Sequence, residues 1–371
     1  MSQKPVSSDP MGSKASRSLP AVRAAKPATI LDVAAAAGVS RQTVTRAMNG
    51  MPGIKSSTRE RVLELARELN YTPSRFARGL VQGSHVSVGL AIPDLGNPYY
   101  PAFASSVVEQ ATARGWHVVV DDFGHGGRSA LDAVERLAPQ VDAVIGYLGA
   151  DADRALVLMS GRPLVALDFA DEGFAGASIA FDYARAASAA VGYLRRQGRQ
   201  RIVYIDWPGA GASTGTLDPL GRGLSVRGSA FAALLSDASP GTSTQSASPH
   251  SVVRAAGESA AAAKEAVEAL LERSPDTDAV IAFNDLMAAG ALKALAQAGR
   301  NVPVDCAVLG MDGIPLGELL TPELSTLGLD LREVGRTAVE LLDGLLSGAI
   351  QPGTPEVRRV IRHELLLRGS A

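Results

Sequence analysis

The chain has 371 residues, 46% of them hydrophobic and 20% charged, which is the composition of an ordinary globular protein with room for two or three domains. No apolar run is long enough to span a bilayer, so a membrane protein is not expected. The single cysteine, Cys306, excludes an internal disulfide and favours a cytosolic location.

Charge is distributed unevenly along the chain. Residues 1–80 contain 13 Lys and Arg against 5 Asp and Glu, whereas the remainder contains 23 against 33. Residues 1–27 are basic and lack the apolar core of a secretory signal, which indicates a disordered basic tail. A basic end and an acidic body suit a cytoplasmic, nucleoid-associated protein that binds DNA through one end.

The first predicted elements lie in residues 29–49, which read TILDVAAAAGVSRQTVTRAMN. Ile30, Val33 and Ala37 repeat at helical spacing, and Gly38 then breaks the helix. Ser40 stands where a second helix needs an N-cap. The pattern predicts a helix-turn-helix. The second helix carries side chains that can contact base edges or phosphates in a major groove: Arg41, Gln42, Thr45, Arg46 and Asn49.

A third helix follows. Ser57 and Glu60 are spaced as a capping box, and the apolar face after them continues to Asn70, which completes an all-α DNA-binding domain at residues 28–73. Residues 74–84 then form a linker, whose segment Ser74 to Val81 is predicted as a short helix that is too isolated to form alone.

From Val86 the pattern becomes strand, turn, helix, repeated. The strands are predicted at 86–92, 117–121, 143–147, 164–168, 178–181, 201–206, 279–282 and 307–311, and Ala-rich helices include 102–113, 184–196, 259–271 and 286–298. Such alternation predicts doubly wound parallel sheets covered by helices on both faces, with ligands at the carboxyl ends of the strands. Residues 85–371 are too many for one sheet, so we expect two α/β subdomains with a cleft between them.

With these elements in this order, the chain resembles the LacI (lactose-repressor) family of bacterial transcription regulators along its length after residue 28. The resemblance is carried by T-I-x-D-V-A-x-x-A-G-V-S-x-x-T-V-x-R-x-x-N and by shorter motifs in the family's order: Asn70-Tyr71-x-Pro73, Ile92-Pro93-Asp94-x-x-Asn97-Pro98-Tyr99-Tyr100, Phe283-Asn284-Asp285, Gly310-Met311-Asp312 and Thr321-Pro322-x-Leu324-x-Thr326. It implies a homodimer that binds a palindromic operator in double-stranded DNA. It also implies a periplasmic-binding-protein-like body whose N-subdomain spans about 86–182 and 328–348 and whose C-subdomain spans about 183–327 and 349–367.

The family's DNA contacts carry over where the motif matches. Arg41 and Gln42 occupy the positions that choose bases, and Arg46 matches an arginine that reads a base or a phosphate. Backbone-positioning contacts are expected from Thr29, Ser40, Thr45 and Asn49. The short linker helix matches the family's hinge helix, in which Ala77 and Leu80 correspond to residues that enter the minor groove.

A small-molecule effector, a sugar or related metabolite, is implied for the cleft. Arg227 matches the family's arginine for an effector hydroxyl or carboxylate, and Asp285 is expected to accept sugar hydroxyls. Carboxylates at strand ends also cap helices or form internal ion pairs, so each polar position keeps that alternative. The expected effector-binding residues are Asp94, Asn97, Tyr99, Tyr100, Asp122, Tyr147, Asp168, Phe169, Trp207, Arg227, Asp285 and Asp312.

Three positions depart from the sugar-binding pattern. Phe169 stands where relatives commonly place Arg, Gly313 replaces a second Asp, and Leu329 replaces a polar contact. These departures predict a less hydrophilic ligand or a weak one, and leave open a DNA-binding protein with an empty cleft.

Other functions fit less well. Ser213 lies in a G-x-S-x-G pattern after a strand, but no helix follows for the tight turn that a hydrolase nucleophile needs. A transporter's solute-binding protein would need a secretory signal in place of the DNA-binding head. There is no Walker or G-x-G-x-x-G motif and no metal-ligand cluster, so neither an enzyme nor a cofactor is expected. Without a heptad tail, a dimer is favoured over a tetramer.

Overall fold

A computed structural model describes residues 30–48, 52–69, 86–124, 126–207, 209, 223–236 and 252–371. They fall into two compact units, one on each side of residues 70–85. No helix of the described ranges combines the length and apolar character needed to cross a membrane.

The first unit is a three-helix bundle. Its helices are α1 (Ile30–Ala37), α2 (Arg41–Met48) and α3 (Ser56–Glu68). Val33, Val44 and Val62 are fully buried at its centre. The backbone amide of Thr43 donates to the Ser40 hydroxyl at 3.2 Å, so the predicted cap of the second helix is confirmed.

The start of α3 corrects the predicted capping box. The helix begins at Ser56, two residues earlier than an N-cap at Ser57 would place it, and its N-cap is Lys55, whose side chain makes no cap hydrogen bond. Ser57 therefore lies inside the first turn, where it cannot act as the N-cap. The helix ends at Glu68, and Asn70 lies outside the described residues.

The described residues of the second unit form two six-stranded sheets. The first has the order β11-β5-β4-β3-β1-β2 and is parallel throughout. The second has the order β12-β10-β9-β8-β6-β7, with β12 antiparallel to β10. The strands are β1 (Ser87–Ile92), β2 (His117–Asp122), β3 (Ala143–Gly146), β4 (Leu164–Leu167), β5 (Ala177–Phe181), β6 (Ile202–Asp206), β7 (Val252–Arg254), β8 (Ala279–Ala282), β9 (Ala307–Asp312), β10 (Ser325–Gly328), β11 (Arg358–Ile361) and β12 (Glu364–Leu366).

Helices alternate with these strands. They are α4 (Tyr99–Ala113), α5 (Ala130–Leu137), α6 (Ala152–Leu158), α7 (Tyr183–Arg196), α8 (Val226–Ser236), α9 (Ala260–Arg273), α10 (Asp285–Gln297), α11 (Leu316–Leu319) and α12 (Leu331–Ser347). The strands are largely buried, as expected of parallel sheets covered on both faces. The predicted fold class, a helix-turn-helix domain plus two doubly wound α/β subdomains, is confirmed.

One subdomain boundary was wrong. Residues 349–367 were assigned to the C-subdomain, but β11 pairs with β5 of the first sheet, with Arg358 opposite Ser178. The chain therefore returns to the first sheet after α12 and crosses to the second only at Arg362 and His363, before β12. Val360 and Ile361 join the edge of the first sheet through main-chain hydrogen bonds. The pattern of side chains along a strand does not show which of two sheets that strand joins.

Candidate functional site

Helix α2 presents polar side chains on one exposed face. Arg41, Gln42 and Arg46 are exposed, whereas Val44 and Ala47 are buried against the bundle. Thr45 is half-buried and donates its hydroxyl to the Arg41 carbonyl at 3.1 Å. Two guanidinium groups and one amide thus remain available for base edges or phosphates.

Several predicted residues lie outside the described residues, so their roles stay predictions. These are Thr29 and Asn49 at the ends of the helix-turn-helix motif, Ala77 and Leu80 in the linker, and the loop serine Ser213.

In the second unit, Arg227 is the centre of a buried polar cluster. It lies in the first turn of α8, and its Nη1 donates to the Phe283 carbonyl at 2.9 Å and to Asp312 Oδ1 at 3.2 Å. Its Nε donates to the Tyr183 hydroxyl at 3.1 Å. The guanidinium carbon also lies 4.6 Å from the Phe283 ring centroid and 5.3 Å from that of Tyr183. Arg227 therefore lies beside the carboxyl ends of β8 and β9.

A second carboxylate is joined to Arg227 through a phenol. Tyr183 accepts from the guanidinium and donates its own hydroxyl to Asp168. Burial raises the pKa of Asp168 and raises that of Asp312 more strongly, and in both cases the charge of Arg227 opposes the rise. The positive charge of Arg227 therefore stabilises the ionised forms of two buried carboxylates.

Both carboxylates sit on strained backbone. Asp168 has φ 53° and Asp312 has φ 113°, and Ser160 is the one other non-glycine residue with positive φ in the described ranges. Such conformations cost about 1–3 kcal/mol each and concentrate at functional sites. The next residue, Gly313, has φ 75°, and a Cβ there would lie 2.6 Å from the Gly328 Cα. A side chain at position 313 would collide with the backbone at Gly328, so glycine is needed there.

Asp206 positions Arg227, although the sequence analysis did not single it out. It ends β6, is fully buried, and accepts from the Ser225 backbone amide at 3.0 Å and from the Ser225 hydroxyl. The Ser225 hydroxyl in turn accepts from the Gly228 amide at 2.8 Å. A Cβ at Gly228 would lie 2.6 Å from Asp206, so glycine is needed there. These contacts fix the start of α8.

Aromatic side chains form one wall of the cluster. The hydroxyls of Tyr99 and Tyr147 are 2.8 Å apart, and the rings of Tyr100 and Tyr147 meet edge to face at 5.3 Å. Burial raises the pKa of each of the three phenols, so all three stay neutral at physiological pH. The structure thus brings together the three tyrosines predicted for the cleft.

Glu258 joins the two subdomains and was missed by the sequence analysis. Its Oε1 accepts from Asn97 Nδ2 at 2.9 Å and from Asn284 Nδ2 at 2.8 Å. Asn97 follows β1 of the first sheet, whereas Asn284 follows β8 of the second. Burial raises the pKa of the Glu258 carboxyl, against the opposing effects of Arg227 and the two amides.

Two further predicted residues, Asp94 and Asp122, accept hydrogen bonds from backbone amides of loops. Asp122 accepts from the backbone amides of Leu95 at 3.1 Å and Gly124 at 2.9 Å, and Asp94 accepts from the amide of Gly96 at 2.7 Å. These carboxylates stabilise the turns after β1 and β2.

Asp285 is fully buried and accepts from protein donors on both oxygens. The backbone amide of Ile314 donates to Oδ2 at 2.8 Å and the Thr326 hydroxyl donates to Oδ1 at 2.5 Å. Burial raises its pKa to about 6. Its observed contacts are thus internal ones, which tie the loop after β9 to β10.

Two aromatic residues predicted for the cleft pack against other rings. The ring centroids of Trp207 and Phe283 are 6.0 Å apart, and those of Phe169 and Phe174 are 5.0 Å apart. The backbone carbonyl of Phe283 is the one that accepts from Arg227. No group of three or more His, Cys, Asp or Glu in the described part of the chain is arranged to hold a metal ion.

Two family descriptions match the chain. Residues 29–74 match "Bacterial regulatory proteins, lacI family", and residues 191–371 match "Periplasmic binding protein-like domain". The ribose operon repressor of Halalkalibacterium halodurans is 32% identical over 324 residues, which cover 85% of this chain and 89% of the repressor.

Two solved structures are also similar. A LacI family transcriptional regulator from Arthrobacter sp. FB24 in complex with lactose has 58% sequence identity and a TM-score of 0.70, covering 77% of this chain and 99% of that one. The lac repressor dimer bound to operator and the anti-inducer ONPF has 26% identity and a TM-score of 0.62, covering 93% and 99%.

Proposed function

The chain belongs to the LacI family of bacterial transcriptional regulators, and from this premise we propose that it binds a palindromic operator as a homodimer, under the control of a sugar bound between its subdomains. The observation that carries the proposal is the presence, on one chain, of a LacI-type helix-turn-helix and a periplasmic-binding-protein-like body with a polar cleft. Repression is the expected direction of control, since the ribose operon relative is a repressor.

On the DNA side, α2 is the proposed recognition helix. Arg41 is suited to the O6 and N7 acceptors of guanine, and Gln42 to the N6 and N7 edge of adenine. Arg46 supplies a further base or phosphate contact, and Ser40, Thr45, Thr29 and Asn49 position the helix on the backbone. Two copies of the helix reading half-sites of opposite direction would account for a palindromic operator.

The proposed hinge couples the two units. Ala77 and Leu80 would enter the minor groove next to the recognition helix, with Leu80 wedged into a base step. Gly79 lowers the intrinsic helix stability of this segment by about 1 kcal/mol relative to Ala, so its ordering would depend strongly on DNA.

On the effector side, the cluster around Arg227 offers the chemistry that a sugar needs. The guanidinium donates, Asp168 and Asp312 accept, and the tyrosine wall supplies an apolar face. The Arthrobacter regulator with 58% identity was crystallised with lactose. We therefore propose a neutral disaccharide such as lactose as the effector, in place of the less hydrophilic ligand that the departures at Phe169, Gly313 and Leu329 predict.

Calorimetric titration with lactose tests this proposal. Wild-type protein should bind lactose, Arg227→Met should lose binding, and Arg196→Met, which removes the same charge from an exposed position of α7, should retain it. Footprinting on the DNA upstream of the protein's own coding region should reveal a protected palindrome. Failure of lactose to bind together with absence of a protected site would contradict the proposal.

A further inference from the structure

Glu258 occupies a position that spans the cleft. It lies in the loop between β7 and α9 of the second sheet, and its bond to Asn97 reaches the loop after β1 of the first. The bond to Asn284 keeps it attached to its own subdomain. One carboxylate thus contacts both walls of the cleft.

The two amides that donate to Glu258 are held in a fixed orientation. Asn97 Oδ1 accepts from the Tyr99 backbone amide at 3.1 Å, and Asn284 Oδ1 accepts from the Met287 backbone amide at 2.8 Å. With both oxygens occupied, each Nδ2 must donate outward, and an acceptor is required where they converge. Glu258 Oε1 meets this need, while Oε2 has no partner among the described residues.

The charge around this position is unbalanced. Asp168, Asp312 and Glu258 each interact electrostatically with Arg227, and Asp94 adds a further negative charge near Glu258. One guanidinium faces several carboxyl groups, and their raised pKa values show that burial disfavours negative charge in this region. An anionic ligand would meet the same desolvation cost and would also be repelled by those carboxylates that are ionised.

We propose that Glu258 is a specificity-determining residue of the cleft, which accepts hydrogen bonds from hydroxyl or ammonium groups of neutral and cationic sugars and rejects sugar acids and sugar phosphates. The assignment rests on the proposed sugar-binding function and names the chemical class of sugar that the site takes. Oε2, which has no partner among the described residues, is the acceptor for the ligand. The charge of the Glu258 carboxylate repels anionic ligands. This repulsion lowers the affinity for the wrong ligand, which is one way in which a site becomes selective.

Glu258→Gln is the informative variant. Its amide oxygen can still accept from Asn97 and Asn284, so the bridge is kept while the charge is removed. Glu265→Gln is the matched control, because it removes one charge from an exposed position on α9. The probes are lactose, its anionic relative lactobionate and its cationic relative lactosamine, titrated calorimetrically into the full chain at pH 6.5, where the amino group of lactosamine is mostly protonated.

Wild-type protein and Glu265→Gln should bind lactose and lactosamine and should bind lactobionate at least about a hundredfold more weakly. In Glu258→Gln the preference for lactose over lactobionate should fall by about tenfold or more, which corresponds to about 1.4 kcal/mol. Lactosamine should lose affinity relative to lactose in the same variant. Thermal unfolding of each variant shows that it is folded.

Two outcomes overturn the assignment and are distinguishable. If wild-type protein binds lactobionate as tightly as lactose, or if Glu258→Gln keeps the wild-type preference, sugar binding stands and the role of Glu258 is wrong. If none of the three sugars binds, the proposed lactose-type effector fails, and the assignment fails with it.

Discussion

Arg227 and Asp312 form an ion pair in which Nη1 lies 3.2 Å from Oδ1, while only 12% and 5% of the two side chains are exposed. The pair joins α8 to the end of β9. Because both groups are desolvated, removing one leaves the other as an uncompensated buried charge.

Arg227→Met should therefore lower the free energy of unfolding by about 3 kcal/mol or more, in addition to abolishing effector binding. Asp168 and Asp312 would both lose their cation. Urea unfolding without sugar measures the change. Adding Asp312→Asn to Arg227→Met should restore part of the stability, because it removes one of the uncompensated carboxylates; a double variant no more stable than the single one would contradict this explanation.

His363 should make the protein sensitive to acid. It lies where the chain crosses between the sheets, and its ring meets those of Phe181 and Tyr183. Its Nδ1 is buried and has no hydrogen-bond partner among the described residues. Burial and the charge of Arg227 lower its pKa from 6.5 to about 3, although Asp182 opposes the shift. Between these values the unfolded chain binds more protons than the folded one, so the free energy of unfolding falls as pH falls.

Replacing this histidine isolates its contribution. The free energy of unfolding of wild-type protein should fall by about 2 kcal/mol more than that of His363→Phe between pH 6.5 and pH 5. Phe keeps the ring contacts and removes the titrating group. Parallel pH profiles for the two proteins would show that His363 is protonated as easily in the folded state as in the unfolded chain.

Asp285 should have the opposite effect to His363: its contribution to the free energy of unfolding should fall as pH rises. Burial raises its pKa from 3.8 to about 6, so between these values the folded protein binds more protons and this group's contribution to stability falls as pH rises. Asp285→Asn should be less stable overall, since Asn cannot accept on both sides, yet it should lack this loss between pH 4 and pH 6. Chemical unfolding across that range measures the slope, and a slope equal to that of wild-type protein would refute the assignment.

The sequence predicted the parts of the fold that have strong periodic patterns. The limits of β8 at Ala279 and Ala282 agree with the structure, and Ser40 caps α2 as expected. β7 was missed because it has three residues and follows a stretch rich in Gly, Ser and Pro. Without that strand, Glu258 could not be placed at a strand end, where cleft residues were sought.

For the candidate site too, sequence predicted some of the residues but not their backbone conformation or their contacts. A motif match led to Arg227, and positions at predicted strand ends led to Asp168 and Asp312, but the positive φ at the two carboxylates depends on tertiary contacts that no local pattern contains. Asp285 has the residue type of a sugar contact, and only three-dimensional packing shows that Ile314 and Thr326 occupy its oxygens.

Substitutions on α2 should change DNA specificity. Arg41→Ala and Gln42→Ala should each cost about 1–3 kcal/mol of operator affinity and relax the preference at one base pair of each half-site. Arg67→Ala, an exposed change on α3, serves as the charge-matched control. Binding to a library of operator variants distinguishes the loss of a base contact from the loss of a phosphate contact. A uniform loss across all sequences would assign Arg41 and Gln42 to phosphate contacts.

Leu80→Ala tests the proposed hinge. Without the leucine wedge, DNA bending should decrease and specific affinity should fall, while non-specific affinity should be retained because it depends on phosphate contacts. Bending is measured by fluorescence energy transfer between the ends of a labelled operator. Bending equal to that of wild-type protein would exclude the wedge.

The most direct measurement is the affinity for the protected upstream DNA with and without lactose, at about 150 mM salt, where non-specific binding is weak. Fluorescence anisotropy should give binding at least about a thousandfold tighter than to random DNA. Saturating lactose should change that affinity at least about tenfold in wild-type protein and leave it unchanged in Arg227→Met. Equal affinity for the two DNAs, or an operator affinity that lactose does not alter in wild-type protein, would contradict a sugar-controlled regulator.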